Sequence, residues 1–350
     1  MSIPTVVSDH EILHQLYVDL PPTIILLLIS AVLLYFSIFA LVKTWIWTSR
    51  VLILPALLGL WSTAYVAPVR CAAMQAVSNF IVAGATMKLL DIHALTLFSR
   101  LPAYTTSPSP SPSLLSFLLL TELRYESFTP NPIRLPPFYT HLHTKPHPLF
   151  FTEPTQFLLH TLLLLLLHSL PPYPPLKALT ILFTIYILWT STQLLLRYPT
   201  SPPLFGPIYL ASGISTFWTE TWHNAFTSPC LSLAYTPTLA LVSRLRIPRS
   251  IARATAVIVA FSLMAVFHMY TLAPLLSAEG TKRVGVFFVA NGVGTVGERV
   301  VWGKRRGLGR AVATWGFELV VASWVVAEVE VAEGMLRGDW RGLCRGAVGG

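Results

Sequence analysis

A short stretch in the second half of the chain combines side chains that could do chemistry beside a membrane. Residues 217–226 read Phe-Trp-Thr-Glu-Thr-Trp-His-Asn-Ala-Phe, which brings His223 and Asn224 together with two tryptophans. A second imidazole, that of His268, follows inside the next hydrophobic run. Lipid solvates ionisable groups poorly, so an ionisable side chain at that depth indicates a functional site.

These residue types suit general-base chemistry on an alcohol. An alcohol is a poor nucleophile, and a neutral imidazole that titrates near pH 7 is well matched to removing its proton. We therefore predict His268 as the base. A tetrahedral intermediate carries an oxyanion that needs preorganised donors, and either His223 or Asn224 could supply one. Trp218 and Trp222 lie four residues apart, which predicts one aromatic wall of a helix.

Simpler roles for the same residues also fit the sequence. A histidine in a transmembrane helix can serve only to hydrogen-bond a neighbouring helix, and tryptophans are common anchors at the membrane interface. His160 and His168 lie in a leucine-rich run without polar neighbours of this kind, which favours structural roles for them. Glu220 reads as a solvated carboxylate without a catalytic role.

The elements that must position these side chains are membrane helices. Of the 350 residues, 54% are hydrophobic and 11% are charged, whereas soluble domains average about 25% charged residues. Such a chain has too few charges to cover a water-soluble surface. We predict an all-α, polytopic transmembrane helical bundle of about eight spans, near residues 22–42, 51–69, 77–98, 155–170, 177–197, 251–277, 284–301 and 311–332.

Composition divides the chain into three parts. Residues 1–98 hold N-terminal transmembrane spans, residues 99–154 form a Pro/Ser-rich loop, and residues 155–350 form the core that carries the chemistry. Proline fixes φ and lacks a backbone donor, so no long helix should cross the loop, although a short one is expected at 114–126. Residues 231–242 are expected to be re-entrant or interfacial.

Two pairings within these parts can be predicted from spacing. Lys88 and Asp91 lie three residues apart and are expected to pair on one helical face. The three cysteines, Cys71, Cys230 and Cys344, are far apart and odd in number, which predicts neither a disulfide framework nor a metal site.

Charge predicts the orientation in the membrane. If both termini face the lumen, most of the 24 Lys and Arg residues fall in loops that face the cytosol, as the positive-inside rule requires. This arrangement places residues 99–154 and the Trp–His stretch on the cytosolic side. We expect an integral, multi-pass protein of the endoplasmic reticulum, with the first span retained as an anchor. Nucleic acid is not an expected partner, because no basic face with interleaved aromatics stands free of the membrane.

Three blocks of sequence carry a resemblance to a known family. Pro-Leu-Phe-Gly at 203–206, Ser-Thr-Phe-Trp at 215–218 and Trp-His at 222–223 resemble the signature of the fungal wax-synthase-like membrane-bound O-acyltransferases. Lys-Leu-Leu-Asp at 88–91 and the two phenylalanines at 287–288 followed by Glu298 are similar to further segments of that family. The similarity covers roughly the last two-thirds of the chain.

The resemblance implies an MBOAT-like fold and a definite reaction. Members of this group transfer an acyl group, often acetyl from acetyl-CoA, to a hydroxyl on a lipophilic acceptor, and several act late in fungal terpenoid or meroterpenoid pathways. Acetyl-CoA would be a co-substrate, with no permanently bound cofactor, and the partners would be the acyl-CoA, a lipophilic alcohol and the bilayer. His268 would match the family's intramembrane histidine, and Trp222-His223-Asn224 its earlier polar motif.

Acyl-CoA binding has four candidate residues. Trp218 and Trp222 could contact the acyl-CoA, and Arg244 and Arg246 could meet its phosphates, although the positive-inside rule explains the arginines equally well. Within the enzyme class the alternative is a long-chain wax or sterol ester synthase. Outside it, a membrane transporter could use His268 and Glu298 along a polar path, but the chain lacks the repeat symmetry that many transporters show. The oligomeric state does not follow from the sequence.

Two other patterns are weaker signals. Gly-Val-Gly-Thr-Val-Gly at 292–297 has the spacing of a dinucleotide fingerprint, but that fingerprint needs a strand before it. In a hydrophobic span, Ala290 and Gly294 are better explained by close helix packing. His141, His143 and His147 could bind a metal, but their Pro-rich surroundings favour a loop without fixed ligand geometry.

Overall fold

Helices account for almost all of the regular structure, because a chain in lipid must satisfy its backbone hydrogen bonds internally. The computed structural model describes residues 9–97, 101–105, 107–131, 152–196, 202–303, 305, 307–327 and 340–345. The helices are α1 Asp9–Val42, α2 Ile46–Val66, α3 Ala72–Leu97, α4 Pro112–Thr121, α5 Glu153–His168, α6 Pro174–Leu196, α7 Thr236–Arg244, α8 Arg249–Leu272, α9 Ala278–Trp302, α10 Leu308–Val326 and α11 Trp340–Arg345. Short helical turns occur at Ile208–Leu210, Ile214–Thr216, Phe217–Thr221, Thr227–Pro229 and Cys230–Tyr235.

Six of the eight predicted spans coincide with helices that are long and apolar enough to cross a bilayer, namely α1, α2, α3, α6, α8 and α9. The other two predictions fall on α5 and α10, which do not meet the same criterion. Helix α5 has only 16 residues, about 24 Å at 1.5 Å per residue, which is less than the roughly 30 Å hydrocarbon core. Helix α10 includes Arg310 and Glu318 within its 19 residues. The predicted all-α polytopic bundle is confirmed, with fewer unambiguous spans than expected.

Helices α5 and α10 nevertheless return the chain across the bundle. His160 of α5 contacts the rings of Phe183 and Tyr186, so α5 and α6 form an antiparallel pair. Arg283, near the start of α9, donates to the carbonyl oxygen of Trp324, near the end of α10, at 2.9 Å. Helix α10 is thus also antiparallel to the helix before it.

A disulfide joins two distant parts of the chain. Cys71, just before α3, is bonded to Cys344 of α11, 273 residues later. The prediction of no disulfide is therefore wrong. Sequence spacing carried no signal for this pairing, because α3 and α11 are brought together only by the packing of the bundle.

The disulfide gives a direct expectation for thiol labelling. Protein denatured without reductant should add one maleimide–polyethylene glycol, at Cys230, because the other two thiols are bonded to each other. After reduction it should add three. The gel shift of the full-length protein, with Cys344→Ser as the control that should add two without reductant, checks this pairing. Equal labelling with and without reductant would contradict it.

The Pro/Ser-rich loop contains more structure than the sequence suggests. Helix α4 ends at Thr121, earlier than predicted, and Ala103–Tyr104 (β1) pairs antiparallel with Phe128–Thr129 (β2). Leu119 of α4 and Phe128 of β2 are fully buried in a core shared with α1, α2 and α3. This part of the loop is thus packed against the bundle.

Candidate functional site

The first predicted motif forms a short, irregular helical segment. Residues 214–223, here called the motif segment, begin with an α-helical turn, continue as a π-helical turn over Phe217–Thr221, and end in extended backbone at Trp222. The backbone N–H groups of Ile214 and Ser215 donate to the two carboxylate oxygens of Glu298, at 2.7 and 3.1 Å. An acidic group is favourable at this position because the first N–H groups of a helical turn lack internal partners.

A buried ion pair holds the start of the motif segment in place. Arg310 donates from Nε and Nη2 to the two oxygens of Glu298, at 2.9 and 2.8 Å. The side chains are only 6% and 3% exposed. Gly213 leaves room for this pair, since a Cβ there would lie 2.5 Å from Arg310 Nε. Glu298 is not among the residues that line the cavity containing His268, which is described below. This placement counts against a transport path that passes both His268 and Glu298.

A second buried arginine fixes the end of the motif segment. Arg124, which follows α4, donates to the carbonyl oxygens of Pro202 and Pro203 at 2.6 and 3.1 Å. It also donates to Asn224 Oδ1 at 3.2 Å. Asn224, predicted as a possible oxyanion donor, therefore points to this arginine, and it is not among the residues that line the site cavity.

The segment after His223 is anchored on α3. Asp91 accepts hydrogen bonds from the hydroxyls of Ser228, Ser232 and Tyr125, the last at 2.7 Å. Lys88 donates to the carbonyl oxygen of Glu122 at 2.6 Å and lies 3.4 Å from the centre of the Tyr125 ring. The predicted pairing of Lys88 with Asp91 is wrong, because each buried group finds partners on another element.

These anchors bring two of the predicted site residues to one cavity. The histidine cavity, of about 460 Å³, lies between the motif segment, the turns at 227–235, α8 and α9. His223 and His268 both line it, and its other walls are mostly apolar or aromatic. The principal lining residues besides the histidines are Trp218, Trp222, Phe226, Tyr235, Phe261, Met264 and Phe288. Its volume is within the 300–1,000 Å³ typical of small-molecule sites.

One ring nitrogen of His268 is hydrogen-bonded to the backbone. Its Nδ1 lies 2.8 Å from the carbonyl oxygen of Met264 in the preceding turn of α8. A carbonyl oxygen can only accept, so Nδ1 carries the proton and Nε2 of the neutral ring has a free lone pair. The ring stacks on Phe288, with centroids 4.1 Å apart. This arrangement suits a general base with a fixed tautomer.

The ring of His223 packs among aromatic side chains. Its Nδ1 is buried without a hydrogen-bond partner among the described residues, and its ring is surrounded by Trp189, Phe205 and Trp222. Burial, helped by the nearby His268 and Arg124, lowers the pKa of His223 to about 3. The imidazole is therefore neutral at physiological pH and can donate one hydrogen bond.

The lowered pKa of His223 predicts that the folded protein loses stability as the pH falls. In the unfolded chain His223 takes up a proton below about pH 6.5, whereas in the fold it stays neutral until about pH 3. The unfolded state therefore binds more protons, and stability falls as the pH drops from 6.5 toward 3. At pH 5 this amounts to on the order of 2 kcal/mol. Thermal unfolding in detergent measures the fall in melting temperature from pH 7.5 to pH 5. This fall should be smaller for His223→Gln than for wild type, and His168→Gln, which changes an exposed histidine, is the matched control.

Cys230 also lines the histidine cavity. Burial, followed by the charge of Asp91, raises the pKa of this thiol to about 12. A nucleophilic cysteine needs a lowered pKa to form the thiolate. The cavity therefore favours chemistry through the imidazoles rather than through an acylated cysteine.

The two predicted tryptophans occupy different positions in the wall. Trp222 stacks on Phe217, with ring centroids 5.6 Å apart, while Trp218 donates from Nε1 to Asn291 Oδ1 at 2.8 Å. Arg244 and Arg246, by contrast, are exposed near the junction of α7 and α8 and do not line the histidine cavity. The structure thus brings together Trp218, Trp222, His223 and His268, and leaves Arg244, Arg246 and Asn224 outside.

The weaker sequence patterns can also be placed. A Cβ at Gly294 would lie 2.9 Å from the Phe317 ring and 3.0 Å from Ile214, so this glycine allows close packing of α9. Among the described residues, no three His, Cys, Asp or Glu side chains come together as metal ligands. His141, His143 and His147 lie outside the described residues.

Sequence reasoning missed the residues that hold the site together. Arg124, Asn291 and Arg310 all contact motif residues directly, Arg310 by donating from Nη2 to Ser215 Oγ at 3.2 Å. The available signal was that Arg310 and Asn291 are polar residues within apolar runs, where such groups call for a partner. For Arg124, within a proline-rich stretch, no such signal existed.

The fold and the site define a polytopic membrane protein with two imidazoles in one apolar cavity. Residues 201–290, about a quarter of the chain, match the family model described as "Membrane bound O-acyl transferase family". The matched part includes the motif segment, His223 and His268, and so covers most of the histidine cavity. This match supports a membrane-bound O-acyltransferase. No curated protein matches the chain significantly.

Proposed function

We propose that this protein transfers an acetyl group from acetyl-CoA to a hydroxyl of a lipophilic acceptor of the terpenoid or meroterpenoid type. The observation that carries the proposal is the shared lining of one apolar cavity by His223 and His268, within the part of the chain that matches the acyltransferase family. Such a lining suits a lipophilic alcohol, and the imidazoles supply the polar groups that its reaction needs.

In the proposed reaction, Nε2 of His268 removes the hydroxyl proton as the oxygen attacks the thioester carbonyl. The new C–O bond forms a tetrahedral intermediate, and the C–S bond to coenzyme A then breaks. The proton held by His268 passes to the departing thiolate sulfur, which restores the neutral base. His223, neutral and adjacent, is the proposed donor to the oxyanion. Asn224 would act by positioning, because it accepts from Arg124 and does not line the histidine cavity.

The cavity also suits an acyl donor arriving from the cytosol. Its lining follows α8 from Val257 to His268, about 16 Å at 1.5 Å per residue. His268 lies toward the end of α8 that the positive-inside prediction assigns to the lumen, and Arg244 and Arg246 lie near the opposite end. We propose that coenzyme A stays near that cytosolic end, while the acyl group reaches inward to the histidines.

We further propose residence in the endoplasmic reticulum. The Cys71–Cys344 disulfide supports this compartment, since disulfides persist in oxidising lumens and are rare in the cytosol. The predicted orientation also places both cysteines on the lumenal side.

The proposed function is tested with full-length protein purified in nanodiscs. The protein receives labelled acetyl-CoA and a panel of lipophilic alcohols, and labelled ester and free coenzyme A thiol are measured in parallel. Ester and thiol formed in equal amounts support the proposal. Transfer from palmitoyl-CoA but not from acetyl-CoA would replace it with a wax or sterol ester synthase. No transfer from any donor, together with solute flux in proteoliposomes, would replace it with a transporter.

A further inference from the structure

A second, smaller cavity lies behind one wall of the histidine cavity. This rear cavity, of about 70 Å³, is bounded mainly by α6 and α10, and Trp218 lines both cavities. Its other lining residues are almost all apolar: Ala178, Leu179, Leu182, Phe217, Phe287, Trp315, Leu319 and Ala322, with Glu318 as the exception. Trp218 is here called the partition, because it contributes to the lining of both apolar spaces.

The partition is held by a hydrogen bond and by aromatic packing. Trp218 Nε1 donates to Asn291 Oδ1 at 2.8 Å. Phe261 and Phe287 meet the indole edge-on, with centroids 5.7 and 6.2 Å away. An indole fixed at its polar end and packed on its faces makes a rigid wall.

The partition is also close to the proposed reaction centre. Phe288 stacks on His268 with centroids 4.1 Å apart, and the same ring lies 5.7 Å from that of Trp218. Only one aromatic side chain thus separates the base from the partition. An acyl chain that extends from a carbonyl near His268 toward α6 would meet Trp218 after a few carbons.

From this juxtaposition we infer that Trp218 limits the length of the acyl chain, and that the rear cavity is apolar space that a longer chain would occupy once Trp218 is removed. With Trp218 in place, only a short acyl group fits, whereas its removal joins the two cavities into one apolar chamber. The inference rests on the proposed function and deepens it. A single methylene in an apolar pocket changes discrimination by about 10- to 200-fold, so a few carbons suffice for a large effect.

The test compares acetyl-, butyryl- and octanoyl-CoA as donors for the wild type and for Trp218→Ala. The ratio of kcat/KM for octanoyl-CoA to that for acetyl-CoA should rise at least about tenfold in the variant. Adding Ala322→Phe to Trp218→Ala fills the rear cavity from α10 and should return the ratio toward the wild-type value.

Two results would overturn the inference while leaving the acyltransferase intact. One is a wild type that prefers octanoyl-CoA, and the other is a monodisperse Trp218→Ala with an unchanged ratio. If the alanine variant does not purify as a folded protein, Trp218→Leu keeps an apolar side chain there and is judged by the same ratio. A wild type that transfers no acyl group from any donor removes the proposed function, and this inference with it.

Discussion

His268→Ala lowers the rate of acyl transfer by about 10²- to 10⁴-fold, the range that a positioned general base contributes. The imidazole is the proposed base; it lines the histidine cavity and its tautomer is fixed by a backbone carbonyl. Alanine at this position cannot take the hydroxyl proton. The measurement is kcat for labelled ester formation by purified full-length protein at matched concentration. The KM for the acceptor should change much less, because most of the cavity wall is unaffected.

The matched control is His168→Ala, which removes an exposed imidazole at the end of α5 and should leave kcat unchanged. Elution as a monodisperse peak in detergent shows that the His268 variant is still folded. If a folded His268→Ala retains wild-type kcat, the base is another group, and His223 is the next candidate because it lines the same cavity.

Glu298→Gln destabilises the protein by about 3–5 kcal/mol, the usual cost of removing one partner of a buried ion pair. Glutamine keeps only one oxygen that can accept from the backbone of the motif segment, and its amide nitrogen cannot accept. It also leaves the buried charge of Arg310 without its carboxylate. Unfolding by heat or denaturant in detergent gives the size of the loss. Activity should fall with it, because the carboxylate fixes the start of the motif segment.

A double variant separates the ion pair from the fold around it. Glu298→Gln combined with Arg310→Met removes both charges, and neutral replacement of a buried pair is often close to neutral in stability. The combination should therefore be more stable than Glu298→Gln alone. A double variant that is less stable than both single variants would show that the charges themselves are required.

The helical bundle could be predicted from the sequence because the signal for each membrane span is local. Each spanning helix is a continuous apolar run, so the six confirmed spans could be found from composition alone. Their bounds were less accurate: α1 already includes Asp9, well before residue 22, and Pro21 and Pro22 lie inside the helix. The two weakest predictions fell on α5 and α10, a short helix and one with buried charges.

The site was predicted only in part, because its remaining contacts are long-range. His223 and His268 are 45 positions apart in the numbering, and their shared cavity follows from helix packing that no local pattern encodes. Asn224 had the right chemistry for an oxyanion donor, but its side chain binds Arg124, 100 residues earlier, outside the lining of the cavity. Arg244 and Arg246 were chosen for their charge, which says nothing about distance from the cavity.

The link between Cys71 and Cys344 closes a covalent ring of backbone that contains both histidines, the Glu298–Arg310 pair and both cavities. A single peptide cleavage anywhere inside this ring would open it without releasing a fragment. The surrounding helices could then stay associated around an intact site. A chain cut between residues 71 and 344 would therefore remain one covalent molecule, with the pieces on either side of the cut joined by this single bond.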